Sequence, residues 1–235
     1  MIKRQIPNFV TGFNLVSGCI SIVLSFSHQY EWAIIAIFIA AVFDFFDGFA
    51  ARLLNVMSPM GKEMDSLADV VSFGVSPAMV LFCYMMESSE LQHVTGWQSL
   101  LPYLIFIVPM FSALRLAKFN LDTRQTTSFL GLPTPANALF LSTLVLLPAE
   151  WSLIHNTYTI LVLAAITSWM LVSEIPLFAM KFKNFSWKDN KIKFIFLVGV
   201  VALAVVFTKI AVTFIVIWYL TLSLVDNLTK PQNQK

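Results

Sequence analysis

Long apolar stretches separated by short polar breaks dominate this chain. A helix needs about 20 mostly apolar residues to cross a bilayer. The pattern predicts spans at 9–27, 31–53, 65–86, 99–118, 134–149, 156–178, 193–207 and 210–226. Thr208 and Lys209 are the only polar break between the last two. The expected fold is all-α: a polytopic membrane helix bundle of about eight transmembrane helices, ending in a C-terminal hairpin at 193–226. Six spans plus a tilted or re-entrant pair is the alternative. Pro77 falls inside the third span and predicts a kink or the loss of a backbone hydrogen bond. Gly131-Leu132-Pro133-Thr134-Pro135 reads as a loop entering the fifth, because proline suits a first helical turn. No repeat or low-complexity linker divides the sequence, so 1–235 reads as a single integral membrane domain with a frayed tail at 226–235.

Composition agrees with the pattern. Of 235 residues, 58% are hydrophobic and 12% charged, and the mean hydropathy is +0.78. Soluble domains carry about 25% charged residues, so an ordinary soluble domain is excluded and no nucleic-acid partner is expected. Cys19 and Cys83 lie in apolar segments and read as small buried residues, neither a disulfide framework nor a metal pair. Lys3 and Arg4 precede the first apolar run, and no small-residue cleavage site follows it; a retained first helix is expected.

The placement of charge then orients the bundle. Cations cluster at the N-terminus, around Arg52 and Lys62, around Arg115, Lys118 and Arg124, from Lys181 to Lys193, and at Lys230 and Lys235. On the eight-span map, fourteen of the fifteen Lys and Arg fall on one side, with Lys209 alone opposite. Positive loops stay cytoplasmic. The expected location is the cell (cytoplasmic) membrane, multi-pass, with both termini cytoplasmic. Trp32, Trp97 and Trp151 at the far face, and Trp187 at the near one, suit interfacial anchors.

Against this background four aspartates stand out: Asp44-x2-Asp47-Gly48-x2-Ala51-Arg52-x8-Gly61-x3-Asp65-x3-Asp69. A carboxylate beside hydrocarbon is costly and usually marks a working site. At about 100° per residue, Asp44, Asp47, Gly48, Ala51 and Arg52 share one face at the end of the second span. Asp65 and Asp69 share a face of the third, beyond a turn at Ser58-Pro59-Met60-Gly61. Packed together, the two helices would surround one or two metal ions with carboxylates. Oxygen donors without His or Cys favour Mg²⁺ or Mn²⁺ over zinc or copper. Such a pair of ions suits phosphoryl chemistry. Solvated loop acids and helix caps would explain one or two aspartates, but not four in this register with Gly48, Arg52 and Gly61. An ion-coupled transporter is the other functional class. Its acids belong near the midplane, whereas these cluster at the predicted cytoplasmic interface.

At these residues the chain resembles the CDP-alcohol phosphatidyltransferases, whose signature the Asp44-to-Asp69 pattern matches throughout. Four further stretches resemble the phosphatidylserine synthase branch. They are Ile6-Pro7-Asn8-Phe9-Val10-Thr11, Asp65 through Gly74, Arg115-Leu116-Ala117-Lys118-Phe119-Asn120, and Gly131 through Pro135. Leu171-Val172-Ser173 adds a weaker match, so the resemblance covers a six-helix core at 6–180. It implies transfer of a phosphatidyl group from CDP-diacylglycerol to L-serine with release of CMP. Glycerol 3-phosphate or inositol phosphate is the alternative acceptor. It further implies that Asp44, Asp47, Asp65 and Asp69 hold two ions, and that Asp69 is also the base. Asn8, Thr11, Gly48, Arg52 and Ser58 would contact the CDP donor. A homodimer is implied as well. For the acceptor, Arg115 is the candidate for the serine carboxylate, with Lys118 and Asn120 beside it. Topology alone also accounts for cations at that end of span four. Glu174 is a candidate partner for the serine ammonium or for Lys181.

Overall fold

A computed structural model of the chain describes residues 2–88, 96–121, 129–178 and 187–229. Arg124, Lys181, Lys183, Lys230 and Lys235, which contribute to the charge asymmetry, lie outside the described residues.

The helices follow the apolar runs. α1 spans Ile2–Phe26, α2 Tyr30–Leu53 and α3 Pro59–Asp69. A π-helical turn, Val70–Val75, joins α3 to α4, Ser76–Glu87. A 3-10 segment, Gly96–Phe106, leads into α5, Ile107–Leu121. α6 is Thr134–Thr143, extended by a 3-10 turn to Leu146. The four-residue α7, Ser152–His155, precedes α8, Thr157–Val172. α9, Trp187–Phe207, and α10, Ala211–Thr229, complete the bundle. Among the described residues, five helical stretches are long and apolar enough to cross a membrane, and two shorter apolar ones accompany them. The chain is thus a polytopic helical bundle.

The fifth and sixth spans are shorter than the hydropathy pattern predicts. Leu147 and Ser173 are extended. Leu147 precedes Pro148 and Ile175 precedes Pro176, and a residue before proline is pushed out of helical space. Phe129 and Leu130 instead pair antiparallel with Leu177 and Pro176, in a two-residue ladder beside the end of α8. The last apolar stretch, Asn190–Thr229, is 40 residues long. It turns at Thr208, whose φ is +44°, and α9 packs back on α10 through stacked Phe207 and Phe214.

α1 turns its large apolar residues outward. Phe9, Phe13, Val16, Ile20 and Val23 are exposed, whereas Thr11, Asn14, Ser17, Ser21 and Ser25 are buried. Lipid is as apolar as leucine, so helices in a bilayer associate through close backbone approach and hydrogen bonds. At Gly18 an added Cβ would lie 2.8 Å from the Ser72 Cα, so glycine lets α1 touch the π-helical turn. That turn also stands where the sequence predicts a kink or a lost backbone bond at Pro77. Proline cannot donate to a carbonyl one turn back and clashes with it; the widened helix at 70–75 lies directly before it.

Candidate functional site

α1, α2, α3 and the π-helical turn meet at one end of the bundle. The end of α2 carries Asp44 and Asp47, and α3 carries Asp65 and Asp69. Ser58 fixes the start of α3: its Oγ accepts from the Gly61 backbone N–H at 3.0 Å, with Pro59 in the first turn. Gly61 packs closely there: a Cβ would lie 3.1 Å from Ser58 Oγ and 3.3 Å from Asn8 Oδ1.

Asp44, Asp47 and Asp65 each bring a carboxylate oxygen within 4.8 Å of the others. Asp47 is buried and the other two are half-buried. Two α1 side chains hold the acids in place. Thr11 Oγ1 donates to Asp47 Oδ2 at 2.6 Å, and Asn14 Nδ2 donates to Asp69 Oδ1 at 3.0 Å. Asp69 is buried and stands outside the group of three, within electrostatic reach of all of them. Asn14 is not among the residues that the motif singles out. Its signal is an amide in the middle of an apolar run, one turn beyond Thr11.

The donor set fits a hard divalent cation. It is all oxygen, and Asp65 Oδ1 is buried without a hydrogen-bond partner among the described residues. Three carboxylates this close repel one another, and a cation offsets that repulsion. At Gly48 a Cβ would meet nothing within 4 Å, so the α2 backbone is open beside the acids. Arg52 is exposed one turn further on.

Arg115 on α5 is buried, and its Nη1 donates to Thr134 Oγ1 at 3.1 Å. It lies over the Phe119 ring and within electrostatic reach of Asp44 and Asp69. Lys118 and Asn120 face other partners. Lys118 Nζ donates to the Val172 carbonyl at 3.2 Å, at the end of α8. Asn120 Nδ2 donates to Ser66 Oγ at 2.8 Å, and its carbonyl accepts from Lys62 Nζ. Asn8 lies half-buried, donating to Gln5. Glu174 is exposed in the segment after α8. Thus Asp44, Asp47 and Asp65 come together directly, with Thr11 bonded to Asp47 and Gly48 next to it in α2; Asp69 stands apart against Asn14, Arg115 approaches from α5, and Lys118 and Asn120 brace neighbouring elements.

Residues 4–177 match the family model described as CDP-alcohol phosphatidyltransferase. The chain is 35% identical over 184 residues to the CDP-diacylglycerol–serine O-phosphatidyltransferase of Mycobacterium leprae (strain TN), covering 73% of this chain and 57% of that protein. The enzyme of the same name from Helicobacter pylori (strain ATCC 700392 / 26695) is 30% identical over 205 residues, covering 86% and 81%. That of Bacillus subtilis (strain 168) is 33% identical over 172 residues, covering 73% and 89%. The match therefore spans less than two thirds of the mycobacterial relative and most of the other two.

Proposed function

This chain belongs to the CDP-alcohol phosphatidyltransferase family, and we propose that it transfers the phosphatidyl group of CDP-diacylglycerol to the hydroxyl of L-serine, releasing CMP. The convergence of Asp44, Asp47 and Asp65 beside the open backbone at Gly48 carries this reading. The names of the relatives supply donor and acceptor.

In this reading Asp44, Asp47 and Asp65, with Asp69 completing a second position, hold Mg²⁺ or Mn²⁺. When bound, the ions neutralise the diphosphate and the charge that develops during transfer. The chain's own residues do the rest. Gly48 lets the nucleotide diphosphate approach α2, with Arg52 and Asn8 flanking it. Thr11 orients Asp47, and Ser58 holds the turn. Arg115 takes the serine carboxylate, since guanidinium binds carboxylate bidentately. Asp69 removes the hydroxyl proton as the serine oxygen bonds to the phosphatidyl phosphorus and the bond to CMP breaks. Asn14 fixes which Asp69 oxygen remains for that proton. Acyl chains stay in lipid while the headgroups react at the helix ends. A six-helix core at 6–180, a homodimer, location in the cytoplasmic membrane, and a site and termini facing the cytoplasm belong to the same reading.

The test is CMP release by purified protein given CDP-diacylglycerol, Mg²⁺ or Mn²⁺, and serine, glycerol 3-phosphate or inositol phosphate in separate reactions. Release should require serine and a divalent cation, and Asp69→Asn should lower it by at least about 10²-fold, the usual contribution of a positioned base. Release without serine, or full activity in Asp69→Asn, would overturn the mechanism.

A further inference from the structure

Asn137 is the most conspicuous buried polar group outside the aspartate cluster. It is wholly buried on α6, yet neither its Oδ1 nor its Nδ2 finds a hydrogen-bond partner among the described residues. Its position is informative. Residues three apart on a helix are neighbours, with Cβ atoms about 5–6 Å apart, and Asn137 follows Thr134, which bonds Arg115. Asn137 therefore stands one helical turn beyond the residue that Arg115 bonds. Two more groups in this region are unpaired among the described residues: Arg115 Nε, and Ser112 Oγ one turn earlier on α5. An amide with both ends unpaired in an apolar bundle is costly, and native interiors rarely keep one without a reason.

The chemistry of this patch is specific. A guanidinium by itself would accept any carboxylate. An unpaired amide one turn from its partner Thr134 adds an acceptor suited to an ammonium group, and the amide N–H adds another donor. A cation and an acceptor in one buried region complement an α-amino acid, whose carboxylate and ammonium are carried by one carbon. We propose that Asn137 is a specificity-determining contact for the acceptor: its Oδ1 accepts a hydrogen bond from the serine ammonium while Arg115 holds the carboxylate. This rests on serine being the acceptor. It assigns amino-acid selectivity to α6 and not to the exposed Glu174.

Full-length Asn137→Leu and Asn137→Ala proteins test it. Each is compared with wild type for CMP release against serine and CDP-diacylglycerol concentrations, and for thermal unfolding without substrate. KM for serine should rise at least about tenfold, the effect of losing a hydrogen bond to a charged group. KM for CDP-diacylglycerol should stay within about twofold. The preference for serine over 3-hydroxypropionate, which lacks the ammonium, should collapse. The unfolding temperature should hold or rise in Asn137→Leu, because an unpaired amide gives way to an apolar side chain of similar shape. An unchanged KM for serine and unchanged preference would overturn the proposal, as would lower stability with both KM values moving together. If Asn137→Leu does not fold, the same kinetic criteria decide on Asn137→Ala. Wild-type protein that releases no CMP with serine would instead remove the functional reading on which this stands.

Discussion

Thr11 and Asn14 sit one helical turn apart on α1, and each donates to a different aspartate. That division separates the acids by surroundings as well as by position. Asp47 joins Asp44 and Asp65, whereas Asp69 stands apart against Asn14. Groups that hold a ligand in place affect metal binding about 10–100-fold when removed. Thr11→Val should therefore raise the Mg²⁺ or Mn²⁺ concentration needed for half-maximal CMP release by about 10–100-fold. The serine dependence at saturating metal should change much less. A titration of each cation against initial rate reads both. An unchanged cation requirement would mean that the Thr11 hydroxyl serves helix packing alone.

At the scale of elements, the segment entering α6 shows how loop chemistry fixes helix position. Gly131 has φ +73°, and an added Cβ would lie 2.5 Å from the Leu171 carbonyl oxygen. Its own N–H donates to the Ile175 carbonyl, and Leu132 N–H to that of Met170. The segment is clamped against the end of α8, and Pro133 and Pro135 then start α6 with Thr134 facing Arg115. Gly131→Ala should destabilise the protein by at least about 1–2 kcal/mol, the cost of left-handed backbone for a residue with a Cβ. The carbonyl clash adds to it. Thermal unfolding in detergent measures this, and an unchanged midpoint would show that the clamp relaxes freely. The π-helical turn acts similarly on the other side. It lies between Asp69 and Pro77, so the proline's missing donor is absorbed beyond the acids and α3 stays regular through Asp65 and Asp69.

Across the whole molecule, charge separates the two ends of the bundle. Lys209, the lone cation on its side of the predicted topology, pairs with Glu31 at 2.9 Å. Glu31 stands at the start of α2, and Asp47 lies 16 residues on, about 24 Å away at the helical rise. Tyr30, Glu87 and His28 also meet at the Glu31 end. The C-terminal hairpin joins this bundle through matched hydroxyls, Thr143 and Thr213 at 2.8 Å. Tyr219 donates to the Phe178 carbonyl at 3.1 Å, within electrostatic reach of Arg115. The proposed orientation predicts that a cysteine replacing exposed Met57, in a chain with Cys19→Ala and Cys83→Ala, is shielded from an impermeant maleimide in intact cells. One replacing Glu150 should react. Labelling of both positions from the same side would reject the topology.

The sequence by itself determined the existence of the apolar helices, the charge asymmetry and the aspartate pattern, because all three are local. Hydropathy is read over about 20 residues, and helical periodicity alone puts Asp44 with Asp47 and Asp65 with Asp69. The resemblance carried by those residues also gave the family to which the chain belongs. Tertiary structure decided what depends on residues far apart in the chain. Asn14 became visible as a site residue only because α1 packs against α3, bringing it 3.0 Å from a carboxylate 55 positions away. Lys118 and Asn120 share a motif with Arg115, yet α5 sends them to α8 and α3, since helical rotation separates neighbours in sequence. Asn137, like Asn14, is an amide within an apolar run, and its sequence window does not say what surrounds it. Burial on every side, one turn from the partner of Arg115, makes it a candidate for choosing the acceptor.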